Sequence, residues 1–391
     1  MVKFAERMDG LTGSAIREIL AMAGKPGMIS FAGGLPAKET FPTEDVAEIT
    51  ARLMAEQGGA VLQYGATVGW PALLESIAQR LNGKGIAAEP SDIITLTGSC
   101  QGIELMAKIF LNPGDVVLVE NPTFLGALQT FRTYKGVPVG VEMDENGVIL
   151  EDLEEKIRTC HPKLVYLIPT FQNPTGRTMP EERRARVAEL ARKYDVIVIE
   201  DDPYGELRYA GAAPKALKCF DTDGHVVLLN SFSKIISPGL RVGYAMTTKE
   251  ILAKMNIAKQ GMDTHTSNLS QAVVDAYLRS GKLPGHIEEC CGNYAGRMED
   301  MLCAMAKYLP EGTSWTHPEG GLFIWATLPQ GTDARAAFAK AVERDVAFVP
   351  GEHFFADLSG KNTLRLNFSA STPEEIDHGM RVLGEVFSQM A

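Results

Sequence analysis

Between about residue 45 and residue 285, short apolar runs alternate with stretches of helical spacing. Ile93-Ile94-Thr95-Leu96, Val116-Val117-Leu118-Val119, Val137-Pro138-Val139, Leu164-Val165-Tyr166-Leu167-Ile168, Val196-Ile197-Val198-Ile199 and Val226-Val227-Leu228-Leu229 read as strands. Gln101 to Leu111 reads as a helix with an apolar stripe at Ile103, Met106, Ile109 and Phe110, and Glu181 to Tyr194 as a charged amphipathic helix. The alternation predicts an α/β fold with a mostly parallel sheet flanked by helices. From about residue 286 the pattern changes to a long helix and then a smaller α+β unit, with strand candidates Leu322-Phe323-Ile324-Trp325 and Leu364-Arg365-Leu366-Asn367. Residues 1–45, rich in Gly, Pro and Met, read as an irregular arm with one short helix from Ser14, a suitable N-cap, to Met22, stopped by Gly24.

Polar clusters follow three of the apolar runs. Pro169-Thr170-Phe171-Gln172-Asn173-Pro174-Thr175-Gly176 follows the first, Glu200-Asp201-Asp202-Pro203-Tyr204 the second, and Ser231-Phe232-Ser233-Lys234 the third. Ligands of open α/β sheets bind outside the carboxyl ends of the strands, so the three clusters are expected to converge on one pocket. Lys234 can condense with an aldehyde, and Ser231, Ser233 and Arg241 can hold a phosphate. Pyridoxal 5′-phosphate (PLP) presents both groups. Ser231-Phe232-Ser233-Lys234 also fits the S-x-x-K of penicillin-binding enzymes, but the companion S-D-N and K-T-G motifs are absent.

Composition narrows the partners. A net charge of −11 argues against nucleic acid and anionic membranes, and no apolar run reaches membrane-spanning length. The first residues lack the apolar stretch of a secretory signal. The six cysteines include no C-x-x-C pair, so reduced thiols in the cytoplasm are expected, and no metal.

The chain resembles the fold-type I PLP enzymes and, among them, the class I aminotransferases of the 2-aminoadipate/kynurenine branch. Residues 30–36, 62–65, 97–99, 172–176, 200–204, 231–234 and 362–366 carry the likeness in order, from Ser30-Phe31-Ala32-Gly33-Gly34-Leu35-Pro36 to Asn362-Thr363-Leu364-Arg365-Leu366. The likeness implies a large PLP-binding domain over 46–285 and a small C-terminal domain over 286–391, with the arm packing against the latter. It implies that Lys234 carries the cofactor and that Asp201, chosen over Asp202 by the D-x-x-Y spacing to Tyr204, faces the pyridine nitrogen. Asn173 and Tyr204 are then expected at the phenolic oxygen, and Ser99, Cys100, Gln101, Ser231, Ser233 and Arg241 around the phosphate. Relatives usually carry Gln at Cys100, and many carry Tyr at the ring-stacking position held here by Phe124.

Arg365 is expected to fork the substrate α-carboxylate through two parallel hydrogen bonds. Arg17 matches a family arginine that meets acidic side chains, although a solvated helix face explains it as well. Substrate choice is expected near Arg17 and Gly34. Tyr64 matches a tyrosine that reaches the partner subunit's phosphate, which implies a homodimer. The implied reaction is ping-pong transamination from an L-amino acid of 2-aminoadipate, aromatic or branched-chain type to a 2-oxo acid, 2-oxoglutarate being the expected acceptor. A β-lyase or decarboxylase would share every cofactor contact. A DNA-binding regulator with an aminotransferase-like domain would carry an N-terminal winged helix, for which the pattern, beginning near residue 14, leaves no room.

Overall fold

The computed structural model describes residues 3–8, 25 and 27–390. The helix expected from Ser14 to Met22, with Arg17, lies outside the described residues. The apolar runs form one seven-stranded sheet. Its strands are β1 (Ile93–Leu96), β2 (Val116–Glu120), β3 (Val137–Val141), β4 (Leu164–Leu167), β5 (Ile197–Asp202), β6 (Val226–Ser231) and β7 (Gly243–Met246). Their order is β1-β7-β6-β5-β4-β2-β3. Only β7 runs antiparallel to its neighbours; every other pairing is parallel. β1, β4 and β6 are buried at every position, as strands covered by helices on both faces must be.

The helices of this region are α1 (Thr43–Val61), α2 (Pro71–Gly83), α3 (Ser99–Phe110), α4 (Leu125–Thr133), α5 (Leu150–Cys160), α6 (Glu181–Tyr194), α7 (Lys249–Gln260) and α8 (Asn268–Arg279). The expected helix from Gln101 in fact begins at Ser99, because Gly98 turns the chain at φ 85°. Glycine enters that region without the Cβ clash other residues suffer. The earlier start puts the Ser99 and Cys100 N–H groups in the helix's first turn.

α9 (Leu283–Tyr308) leads into a four-stranded antiparallel sheet of β8 (Ser314–Trp315), β9 (Phe323–Thr327), β10 (Val349–Pro350) and β11 (Thr363–Asn367), ordered β8-β9-β11-β10. α10 (Ala334–Val342) and α11 (Pro373–Ser388) cover it. Ile29–Ser30 of the arm pairs in parallel with Val346–Ala347, and the Asn367 N–H donates to the Phe31 carbonyl. That seam carries Gly34 toward the carboxyl ends of the central strands. No helix among the described residues is long and apolar enough to cross a membrane.

Candidate active site

Lys234 follows β6 in a turn pinned by buried Phe232, Ile235 and Ile236. Its Nζ donates to the Gly34 carbonyl at 2.6 Å, across the seam with the arm. Burial lowers its pKa to about 8, with help from the positive charges of Arg365 and Arg241 and opposition from Cys100. Roughly a tenth of the amine is therefore unprotonated and nucleophilic at neutral pH, far more than for an ordinary lysine, and the fraction grows as pH rises.

Along β5, alternation sends Asp201 and Asp202 to opposite sides. Asp202 turns back to accept the Gly205 N–H at 2.9 Å. Asp201 enters the cavity, where its Oδ2 accepts the Tyr166 hydroxyl at 2.8 Å. Its Oδ1 is buried and meets no donor among the described residues. Burial raises the carboxyl to about 7; the Tyr166 and Ser99 hydroxyls oppose that rise and Asp202 adds to it. A buried carboxylate oxygen without a donor is costly unless something supplies one.

Gly98, Ser99 and Cys100 form the N-terminal rim of α3, where free N–H groups and the helix dipole favour an anion. Opposite them the Ser231 hydroxyl donates to Ser233 Oγ at 2.8 Å. Arg241, itself at φ 54°, lies beside Gly98 with Nη2 donating to the Thr97 carbonyl at 3.0 Å. Gln101 does not join this rim. Its Nε2 donates to Asp263 Oδ2 at 2.8 Å and its Oε1 accepts the Thr97 N–H at 2.8 Å, so the side chain is taken up outside the cavity wall.

Arg365 of β11 is buried between the rings of Phe323 and Phe354, 4.2 and 5.0 Å from their centroids. Its Nη1 donates to Asn173 Oδ1 at 2.9 Å and its Nη2 to the Ala32 carbonyl at 2.6 Å, while Nε has no partner among the described residues. Burial lowers it to about 10, leaving it charged at neutral pH. Asn173 Nδ2 donates to the Tyr204 hydroxyl at 3.4 Å. Together with Gly34, Phe124 and Ile168, these groups line one cavity of about 290 Å³. A larger cleft of about 830 Å³, walled by Arg177, Arg208 and Trp315, contains none of the predicted residues. Tyr64 is 81% exposed, stacked edge-on against His265, and does not line its own chain's cavity.

The cavity thus offers an amine, a donorless carboxylate oxygen and an anion rim, the three groups that an aldehyde, a ring N–H and a phosphate require. PLP fits this set. A profile of the family "Aminotransferase class I and II" matches residues 26–383. The chain belongs to that family. It is 43% identical to the aromatic-amino-acid aminotransferase 1 of Thermococcus litoralis, over 99% of this chain and 94% of that one. It is 40% identical to the 2-aminoadipate transaminase of Thermus thermophilus, over 97% and 95%. Among solved structures it resembles the kynurenine aminotransferase of Pyrococcus horikoshii, crystallised with PMP and kynurenine, at a TM-score of 0.95 and 42% identity, over 99% and 97% of the chains. The protein is a PLP-dependent aminotransferase of fold type I.

In this aminotransferase several supporting side chains were not foreseen from the sequence. Tyr166 sits in an apolar run and reads as core until its hydroxyl is seen on Asp201. Glu120, at the end of β2, accepts the Ile168 N–H at 3.0 Å and Gln172 Nε2 at 3.1 Å. Burial raises Glu120 to about 8. Gln172 Oε1 in turn accepts the Thr175 N–H at 2.8 Å and hydroxyl at 2.6 Å, clamping the loop that carries Asn173. Phe171, at φ 49°, makes the bend into that loop. Glu120 follows a strand run and carries no motif of its own; only the fold brings it beside Gln172.

Proposed function

We propose that this aminotransferase takes the amino group of an aromatic, 2-aminoadipate-type or branched-chain L-amino acid and gives it to 2-oxoglutarate. The observation that carries the reading is Lys234, half-buried and lowered to about 8, in one cavity with the donorless Oδ1 of Asp201. When bound, PLP supplies an aldehyde carbon that accepts the amino group and a ring that draws charge from the substrate α-carbon. Asp201 holds the ring nitrogen's proton, with Tyr166 fixing the other carboxylate oxygen. Ser99, Cys100, Ser231, Ser233 and Arg241 hold the phosphate, Phe124 stacks on the ring, and Asn173 and Tyr204 meet the phenolic oxygen. Arg365 binds the α-carboxylate and orients the α-hydrogen toward Lys234. The Lys234 amine removes that proton and returns one in the second half of the cycle. The donor range is supported by the names of the relatives, and Arg17 with Gly34 is the proposed selector.

Residues 1–45, 46–285 and 286–391 are read as arm, large domain and small domain. Tyr64 is read as serving the site of a second copy in a homodimer, in keeping with its exposure. The six unpaired cysteines suit a cytoplasmic setting. The test is a panel of L-amino acids with 2-oxoglutarate, following glutamate. Glutamate is expected with phenylalanine, 2-aminoadipate or leucine as donor. Steady product without any acceptor, and no glutamate, would assign a lyase or decarboxylase instead.

A further inference from the structure

We infer that the ion pair of buried Lys259 with half-buried Asp263 is the anchor that positions the phosphate rim and ties it to the Tyr64 loop. This rests on the proposed assignment of the rim to Gly98, Ser99, Cys100 and Arg241. Lys259, near the end of α7, is wholly buried, and its Nζ donates to both Asp263 oxygens at 2.7 and 2.9 Å. Burying the Lys259 charge costs desolvation that an apolar side chain would not, so the pair contributes little to stability by itself. What it does supply is a fixed acceptor. Asp263 Oδ2 also takes the Thr97 hydroxyl at 2.7 Å and Gln101 Nε2 at 2.8 Å. Burial pushes the Asp263 carboxyl up, and the hydrogen bonds from Lys259, Gln101 and Thr97 more than offset it, so it stays ionised.

The frame continues on both sides. Thr97, immediately before Gly98, donates its N–H to Gln101 Oε1, and its carbonyl accepts from Arg241. The backbone start of the rim and its guanidinium are thereby set by one residue, which Asp263 holds. Thr264 follows at φ 63°, a left-handed conformation that a β-branched residue adopts only when its surroundings impose it. Beyond it, the Thr266 hydroxyl lies 3.1 Å from that of Thr97, and the Thr266 carbonyl accepts Gln271 Nε2 at 2.6 Å. Gln271 Oε1 takes the Trp70 N–H at 2.8 Å, Asn268 Nδ2 donates to the Gln63 carbonyl at 2.9 Å, and the His265 ring meets Tyr64. Residues 263–271 therefore brace the rim and the Tyr64 loop together. Lys259, Asp263 and Gln101 are positioning residues that act through Thr97.

The full-length protein, stripped of cofactor, is titrated with PLP and with pyridoxal, which lacks the phosphate. Lys259→Met/Asp263→Ala removes both charges and the anchor. Lys259→Met/Asp263→Asn removes the charges but keeps an acceptor and an amide for Thr97 and Gln101. The first variant is expected to lose PLP affinity about tenfold or more, in the range of charge-assisted hydrogen bonds, with pyridoxal affinity unchanged. The second is expected to recover most of the loss. Equal losses for both ligands, no loss for PLP, or identical behaviour of the two variants overturns the anchor. Should the first variant not fold, Thr97→Val, which loses one hydroxyl, is expected to lose PLP affinity selectively, and an unchanged PLP preference overturns the proposal. Arg241→Ala separates the two readings. If it leaves the preference for PLP over pyridoxal intact, the rim assignment fails and the anchor with it. If it abolishes the preference while Lys259→Met/Asp263→Ala does not, only the anchor fails.

Discussion

Two neighbouring aspartates with opposite surroundings show how much one residue of register matters. Asp201 enters the cavity with a donorless oxygen, and Asp202 closes a turn on Gly205. Asp201→Asn is therefore expected to lower kcat by at least about a hundredfold, on the scale of a lost charge-stabilising contact, and Asp202→Asn by only a few-fold. Single-turnover kinetics with a good donor decides it; equal losses would mean that the strand faces are misassigned. Lys234 gives a pH prediction. Its folded pKa, about 8, lies below the ordinary lysine value of 10.5, so the reactive amine grows in as pH rises through about 8. In cofactor-free protein, reductive alkylation of Lys234 by a small aldehyde should show that midpoint, read by mass spectrometry, while exposed lysines titrate higher. The sign for stability follows. Between the two values the unfolded chain binds the proton that the folded chain has released, so this group makes the cofactor-free protein more stable as pH rises from 8 toward 10.5.

Among the elements, those with strong periodicity were legible. Glu181–Tyr194 forms as expected, because its acidic start, basic end and apolar stripe agree. The apolar runs after which the site residues follow were equally plain. The start of α3 and the strand β7 were not. A glycine before Ser99 reads as loop, although its positive φ is what lets the helix begin there. β7 opens on Gly243, where an added Cβ would come within 2.7 Å of the Asn230 carbonyl and 3.0 Å of the Ser99 nitrogen. That backbone-to-backbone approach is invisible in a pattern of side chains. Gly98→Ala puts a Cβ against the Arg241 guanidinium and strains the positive φ. It is expected to cost about 1 kcal/mol of stability or more and to speed PLP release. Thermal unfolding and absorbance-monitored cofactor loss measure the two effects, and retention unchanged from the parent protein would count against the rim.

At the scale of the whole molecule, the α/β class, the parallel sheet and the clustering of Asn173, Asp201, Tyr204, Lys234 and Arg365 were legible because each lies on a strand or in the loop that follows one. The bond from the Gln101 side chain to Asp263 was not legible, because Asp263 is remote in sequence and marked by no motif. The exposed Tyr64 bears on assembly. A Tyr64→Ala protein mixed with a Lys234→Ala protein, dissociated and reassociated, should regain activity, because half of the sites in mixed dimers would carry neither defect. No recovery despite verified subunit exchange would place Tyr64 outside the partner's site. PLP should also tighten the dimer if both chains contact it.

The antiparallel insertion of β7 between β1 and β6 has a consequence for how the molecule matures. It brings Leu96 and Ser231 into register with Gly243, so loops more than a hundred residues apart meet at one edge. Gly34 and Arg365 then close the cavity from the far side of the chain. No single strand or loop carries a working cofactor pocket, and such non-local pairing is slow to form. The cofactor's colour is thus a gauge of completed folding. A chain in which β7 fails to insert between β1 and β6 is expected to stay colourless.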